Sequence, residues 1–423
     1  MRKMKDSGIE WIGEIPDNWY VRSIKYSFSI IAGSTPDSGN RDYWEGSIPW
    51  ITPADYKTDD RTIEHGARYL TELGFFSCST SLIPIGSVIF SKRAPIGTVA
   101  INTKELCTNQ GCLGCIKKDE LVNSTYFYYV FSIFTNIFEL YGSGTTFKEI
   151  SANVFSNIIM PYPSIAIQNR VVDYLDKKCK EMDSLMSDIQ KQIEILEKYK
   201  KSVITEAVTK GLNPNVEMRD SGISYVGNIP ADWKIHPLYY YFGERKNKNN
   251  LGKEENLLSL SYGKIIRKDI TLNGGLLPES FTTYNIVEKD DIIIRPTDLQ
   301  NDKRSLRTGL VKEHGIITSA YITLKRINQI NVEYVHYLLH AFDVMKVFYN
   351  MGNGVRQGLN YSEFSRLQIF EPSIMEQDEI VYYLNKKCAE IDYILKDKQE
   401  QLKKLAEYKK SLIFEFVTGK KGV

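Results

Sequence analysis

"PSIAIQNRVVDYLDKKCKEMD", residues 163–183, returns as "PSIMEQDEIVYYLNKKCAEID", residues 372–392. A second pair, "EKYKKSVITEAVT" (197–209) and "AEYKKSLIFEFVT" (406–418), is displaced by the same 209 positions, so both pairs belong to one repeated unit. Neither Pro nor Gly interrupts 168–210 or 377–418. Apolar residues recur there at alternating steps of four and three, the heptad seam of paired helices. In the first copy the seam is Leu175, Cys179, Met182, Met186, Ile189, Ile193 and Leu196. In the second it is Leu384, Cys388, Ile391, Leu395, Leu402 and Leu405, interrupted by Lys398. About 40 residues at ~1.5 Å each make a rod of roughly 60 Å, against ~10–14 residues for an ordinary globular helix. Such a seam needs a partner of equal length, which the other copy supplies. Pro163 and Pro372 stand just upstream, and Gly211 and Gly419 stand where each helix should stop.

A shorter repeat precedes each variable region. "MKDSGIEWIGEIPDNW" (4–19) comes back as "MRDSGISYVGNIPADW" (218–233). If the halves obey a pseudo-two-fold, the helices run antiparallel and the closing "VTGKKGV" lies near the opening "MRKMKDSG". The tag then acts as a clasp between the end of one helix and the start of the next variable domain. The fold expected is α+β, with two domains separated by two long helices in an antiparallel intramolecular coiled coil. The expected segments are 1–162, 163–215, 216–371 and 372–423.

Bulk properties exclude little beyond membrane spans. The 423 residues carry a net charge of +2 and are 42% hydrophobic, enough for ordinary globular cores. No apolar stretch is long enough to span a bilayer, and no signal peptide opens the chain. The six cysteines read as reduced thiols of a cytoplasmic protein. "CTNQGCLGC" (107–115) has the opening spacing of an iron–sulfur site but no fourth ligand, and reads as small apolar residues of a buried strand. Residues 234–370 hold 19 Lys+Arg against 14 Asp+Glu, whereas 20–162 hold 12 against 13. Charge alone therefore neither demands nor excludes nucleic acid.

The variable regions share landmarks more than sequence. "IPIGSVIFSKRAPIGTVAI" (83–101) has strand–turn–strand texture, and "EKDDIIIRPTDLQNDKRSLRTGLV" (288–311) is its counterpart. An aromatic helical stretch follows in each, then a glycine-containing polar loop, 142–151 or 352–360. No phosphate-binding loop or methyltransferase motif is present. Asp55 and Lys57 have the D-x-K spacing of some nucleases, without an identifiable acidic partner. His336 and His340, four apart on an aromatic helix, read as core. The chain is thus expected to catalyse nothing alone and to bind no metal. It does carry groups suited to DNA: Lys92 and Arg93 at a turn; Thr146 and Lys148; Arg295, Gln300, Asn301, Lys303, Arg304 and Arg307; and Arg356 and Gln357. Arg forks onto guanine, Gln and Asn pair with adenine, and Lys and Arg neutralise phosphates.

Together, the tag "WIGEIPDNW", the strings "RAPIGTVAI" and "CTNQG", and the helical segments Gln377 to Asp392 and Tyr408 to Ile413 resemble the specificity subunit of type I restriction–modification systems. The resemblance covers the whole chain. It implies two target-recognition domains, each reading one half of a bipartite double-stranded DNA site, with the helices as a ruler. It also implies two modification subunits, which use S-adenosylmethionine to methylate adenine at N6, and restriction subunits that use ATP and Mg. No cofactor is expected on this chain itself. Two other readings stand beside it: a coiled-coil scaffold without DNA readout, and a stand-alone D-x-K nuclease.

Overall fold

In the computed structural model the two repeated segments are continuous helices, Ile165–Lys210 (46 residues) and Ile374–Val417 (44 residues). Each starts two residues after its proline, Pro163 or Pro372, and so three residues earlier than its uninterrupted stretch in the sequence suggested. The structure describes residues 2–57, 60–144, 148–269, 280–297, 306–351 and 358–422. The chain divides into two units, Met1–Ile189 with Glu400–Val423, and Gln190–Gln399. Each unit holds one end of each long helix.

In the first unit, the start of the first helix packs against the end of the second. Val171, Val172, Leu175, Cys179 and Met182 share one buried cluster with Leu412, Ile413, Phe416 and Val417. Tyr174 packs on Phe416 at a tilt with ring centroids 4.4 Å apart, and Lys409 pairs with Asp183 at 2.5 Å. Partner numbers fall as residue numbers rise, so the segments are antiparallel. In the second unit Val203, Ile204, Ala207 and Val208 join Ile380, Val381, Leu384 and Cys388 in the equivalent cluster. Lys200 reaches Asp392 at 2.6 Å there, the same pair of repeat positions with the roles of the helices exchanged. The seam residues Ile189, Ile193 and Ile391 are buried, while Met186, Leu196, Leu395, Leu402 and Leu405 are half-buried.

The tag closes each unit. Met4–Asp6 pairs antiparallel with Glu14–Pro16, and Met218–Asp220 with Asn228–Pro230, in the same register. Trp19 and Trp233, both 1% exposed, are the apolar anchors. Trp19 lies beside Gly419, and Trp233 beside Gly211. The Lys420 ammonium donates to the Ile12 carbonyl at 2.8 Å, placing the end of the second helix on the tag.

Four strands of the first central sheet have counterparts in the same order in the second, and Thr62–Ile63 is an addition at the edge of the first. In the first unit the order is Phe28–Ala32, Cys112–Lys117, Val88–Ser91, Val99–Asn102, Thr62–Ile63, antiparallel except for the last pair. In the second it is Phe242–Glu244, Ile322–Arg326, Ile292–Ile294, Thr308–Leu310, all antiparallel. Val88–Ser91 and Ile292–Ile294 are buried throughout, which explains their unbroken apolar runs. The helices Ser124–Ile133 and Val332–Val344 follow, capped by the side chains of Asn123 and Asn331. A buried glutamine ties each cap to the long helix. Gln168 donates to the Leu121 and Pro163 carbonyls at 3.0 and 2.9 Å and accepts from the Asn123 N–H at 2.9 Å. Gln377 repeats this with Pro372 and Asn331 at 2.9 and 2.8 Å.

Candidate nucleic-acid interface

The candidate surface grows from the tip of the hairpin Val88–Ser91/Val99–Asn102. Beyond Ser91 the chain leaves the buried sheet. The turn is closed by Gly97 N–H donating to the Ser91 carbonyl at 2.9 Å, and the Ser91 hydroxyl donates to the Arg93 carbonyl at 2.9 Å. The described end of the polar loop, 148–151, lies against this tip. Ile150 N–H donates to the Lys92 carbonyl at 3.0 Å, and Arg93 and Glu149 form an antiparallel bridge. The "CTNQG" turn arrives from the other side, with Lys92 N–H donating to the Gly111 carbonyl at 2.9 Å. There the Thr35 hydroxyl donates to Gln110 Oε1. Four segments remote in sequence thus meet at one end of the sheet.

Their charges are coupled. Lys92 Nζ lies 2.7 Å from Glu149 Oε1, and Arg93 Nε lies 2.7 Å from Oε2. Burial favours the neutral acid, but the hydrogen bonds and charges of Lys92 and Arg93 outweigh it and hold the Glu149 carboxyl below its usual value. The Lys92 side chain is 13% exposed and that of Arg93 42%, so Arg93 is the outward-facing member. Lys148 is exposed beside them.

The second unit repeats the backbone plan. Arg295 N–H donates to the Arg307 carbonyl at 2.8 Å across the hairpin base, and Leu359 N–H donates to the Pro296 carbonyl at 2.9 Å, matching Ile150 and Lys92. Arg295 is half-buried. Arg307 corrects a sequence expectation. It is 0% exposed, its N–H donates to Asp343 Oδ2 at 2.6 Å, and its guanidinium donates to the Thr297 carbonyl at 2.5 Å. It braces the hairpin from inside and does not face a solvent-side ligand. Thr146, Gln300, Asn301, Lys303, Arg304, Arg356 and Gln357 lie outside the described residues.

Other candidates have structural roles. Asp55 Oδ2 accepts from both the Thr52 N–H and hydroxyl at 2.7 Å, and Oδ1 accepts from Ala67 N–H at 2.8 Å. The carboxylate of the D-x-K pair is therefore occupied as a cap, and Lys57 sits by Asp60 at 3.9 Å. His336 and His340 are depressed to about 3 and about 4 by burial, which keeps them neutral. Cys107 and Cys112 are pushed up to about 11 and about 12, again by burial, and stay thiols. Sequence reasoning passed over Thr35, Gln110 and Glu149. The only signal for Glu149 was its charge, opposite to that of the "SKR" turn, and their meeting depends on a long-range loop contact.

Comparison with known proteins gives one family. Residues 16–195 match the model described as type I restriction modification DNA specificity domain. The type I restriction enzyme MjaIX specificity subunit of Methanocaldococcus jannaschii is 38% identical over 190 residues, 44% of this chain and 43% of that protein. The MjaVIII specificity subunit of the same organism is 22% identical over 430 residues, 96% of this chain and 93% of that protein. Against the MjaIX and putative MjaX subunits the chain spans less than half of the relative's length, 43% and 44%. Two solved structures share the fold. One is a chain from a study of complex assembly and conformational transition in the type I R-M system, with TM-score 0.71 at 14% identity, covering 95% of this chain and 98% of that one. The other is the HsdS subunit from Thermoanaerobacter tengcongensis, with TM-score 0.53 at 13% identity, covering 96% and 98%.

Proposed function

We propose that this chain is a member of the type I restriction–modification DNA specificity family, the reading supported by the match of residues 16–195 and by the MjaIX and MjaVIII relatives, and that it is the subunit that reads DNA sequence for its complex and catalyses no step itself. Residues 1–162 and 216–371 are the two target-recognition domains, and each reads one half of a bipartite site. The carrying observation is the repeated hairpin base, where Ile150 N–H donates to the Lys92 carbonyl in one unit and Leu359 N–H to the Pro296 carbonyl in the other. Two hairpin bases of one design that carry different sequences suit two unlike half-sites. Arg93, Lys148 and Arg295 supply the described polar surface, with Lys92 largely covered beside Arg93, and phosphate and base contacts divide among such groups. Methyl transfer from S-adenosylmethionine and ATP-driven cleavage belong to the modification and restriction subunits.

A second repeated surface supports docking of two modification subunits. In the first unit Lys177, Lys178, Glu181 and Tyr408 lie on the outer helix faces; in the second, Lys386, Lys387, Glu390 and Tyr199 do. The residue types are identical at each equivalent position. Tyr199 and Tyr408 are 50% and 55% exposed, and the Lys178–Glu181 and Lys387–Glu390 pairs measure 2.8 and 3.1 Å. One surface presented twice suits two copies of one partner.

The test is domain exchange in the complex with its modification subunit. Replacing 234–371 with the corresponding domain of a relative changes one half of the methylated target and leaves the other half intact. An unchanged target, or methyl transfer by the purified chain alone, overturns the reading. Salt-independent binding without base preference favours a scaffold instead.

A further inference from the structure

We propose that Glu149 is a positioning residue that aims the Arg93 guanidinium at a guanine in the half-site read by the first unit. The inference rests on the DNA-reading function proposed above and assigns a role to a residue that no DNA contact requires.

An exposed arginine explores many rotamers, and fixing it on binding opposes affinity. Arg93 is already fixed at both ends of its side chain. Its backbone is held by the bridge to Glu149. Its Nε is held by Glu149 Oε2 at 2.7 Å. The carboxylate cannot follow a rotating arginine, because Lys92, only 13% exposed, holds its other oxygen at 2.7 Å. Glu149 thus occupies the Nε edge and leaves the terminal pair of nitrogens. Among the described residues those two nitrogens make no hydrogen bond. A terminal guanidinium pair presented end-on is the fork that meets guanine O6 and N7 in the major groove. The net charge of the triad is +1, favourable at a phosphate-lined groove although one member is acidic.

A carboxylate that merely neutralised surface charge would leave a different signature. Its removal would strengthen binding to every duplex alike. A carboxylate that aims a reader trades the two effects: general affinity holds or rises while discrimination at one base pair falls.

The experiment uses the full chain with its modification subunit and the duplex identified by mapping methylated adenines. Exchange of 234–371 assigns the half-sites. Each guanine is then replaced singly by adenine, with its pairing base, or by 7-deazaguanine, which lacks the N7 acceptor. In the wild-type complex one guanine of the first unit's half-site is expected to discriminate by about 5- to 150-fold. Glu149→Gln and Arg93→Lys should each remove most of that discrimination at the same position and nowhere else. Glu149→Gln should bind a non-specific duplex at least as tightly as wild type, whereas Arg93→Ala should flatten the salt dependence by about one ion. Undiminished discrimination in Glu149→Gln overturns the proposal. So does a loss spread over both half-sites, or a wild-type complex that discriminates bases but no guanine in that half-site. A wild-type complex without any base preference sinks the DNA-reading function instead.

Discussion

Replacing Gly419 with alanine should damage the first unit far more than the equivalent change at Gly211 damages the second. Both glycines sit at the end of a long helix with left-handed φ, +73° and +74°. An L-residue there carries strain of about 1–2 kcal/mol, offset by about 0.4–1 kcal/mol of entropy removed from the unfolded chain. At Gly211 a new Cβ would lie 2.9 Å from Glu376 Oε1, the far end of a flexible side chain, and 3.4 Å from Trp233 Cζ2. Glu376 can move, so Gly211→Ala should cost about 1 kcal/mol. At Gly419 the Cβ would lie 2.5 Å from Pro16 Cδ, 2.6 Å from Pro16 Cγ and 3.0 Å from Trp19 Cη2. These are ring atoms, and Trp19 is 1% exposed. Overpacking of about 1–3 kcal/mol adds to the strain, giving about 2–4 kcal/mol. Native-state hydrogen exchange resolves the units separately. Peptides from 4–19 and 405–418 should lose protection by about 30-fold or more in Gly419→Ala, and those from 203–233 by about 5-fold in Gly211→Ala, at 1.4 kcal/mol per decade. Equal losses, or a larger loss at Gly211, would refute the packing argument.

Gln168→Ala leaves the Asn123 N–H without its acceptor and takes one of two donors from the Leu121 carbonyl, which keeps the Tyr162 hydroxyl, and should destabilise the first unit by about 1–3 kcal/mol; urea denaturation within ~0.5 kcal/mol of wild type counts against it. The hydrogen bond and charge of Glu288, with those of Glu254, raise His314 above its usual value. The folded chain therefore holds this proton more tightly than the unfolded one. Its contribution is complete below the unfolded value of ~6.5 and disappears as pH rises through the folded value. The thermal unfolding temperature of the second unit should fall as pH rises across that window, and His314→Gln should remove the slope; an identical slope in the variant contradicts this. Iodoacetamide at mildly alkaline pH should label the half-buried Cys78 ahead of Cys107 and Cys112, whose thiols burial protects. Mass spectrometry showing Cys112 labelled as fast as Cys78 would be inconsistent with the buried site.

The helices and tags were legible because each is a local signal stated twice. Heptad spacing, flanking prolines and terminal glycines all reside within one segment, and the second copy corroborates the first. The hairpins 83–101 and 288–311 were legible for a similar reason, since a buried strand is an unbroken apolar run. Side-chain roles on those hairpins were less so. The run "DKRSLR" does not distinguish an arginine facing solvent from one facing in, and the group that accepts from Arg307 N–H, Asp343, lies within an aromatic helix 36 residues on. Asp55 likewise looked chemical because its backbone donors, at Thr52 and Ala67, have no sequence signature. The three-stranded sheet of Trp44–Ile51, Arg68–Leu70 and the parallel Cys107–Thr108 was not read at all, because Trp44–Ile51 pairs with Arg68–Leu70 through a bulged register and its parallel partner Cys107–Thr108 lies more than 50 residues on.

Division of the core has a consequence for synthesis. The first unit needs Leu412, Ile413, Phe416 and Val417 to cover Leu175 and Cys179. Between Ile189 and Glu400 the ribosome must make the entire second unit, Gln190–Gln399. At ~5–20 residues per second that interval is roughly 10–40 s. The part begun first is finished last, and until its final turns emerge an apolar strip of the nascent chain stays bare to whatever chaperone or neighbour meets it.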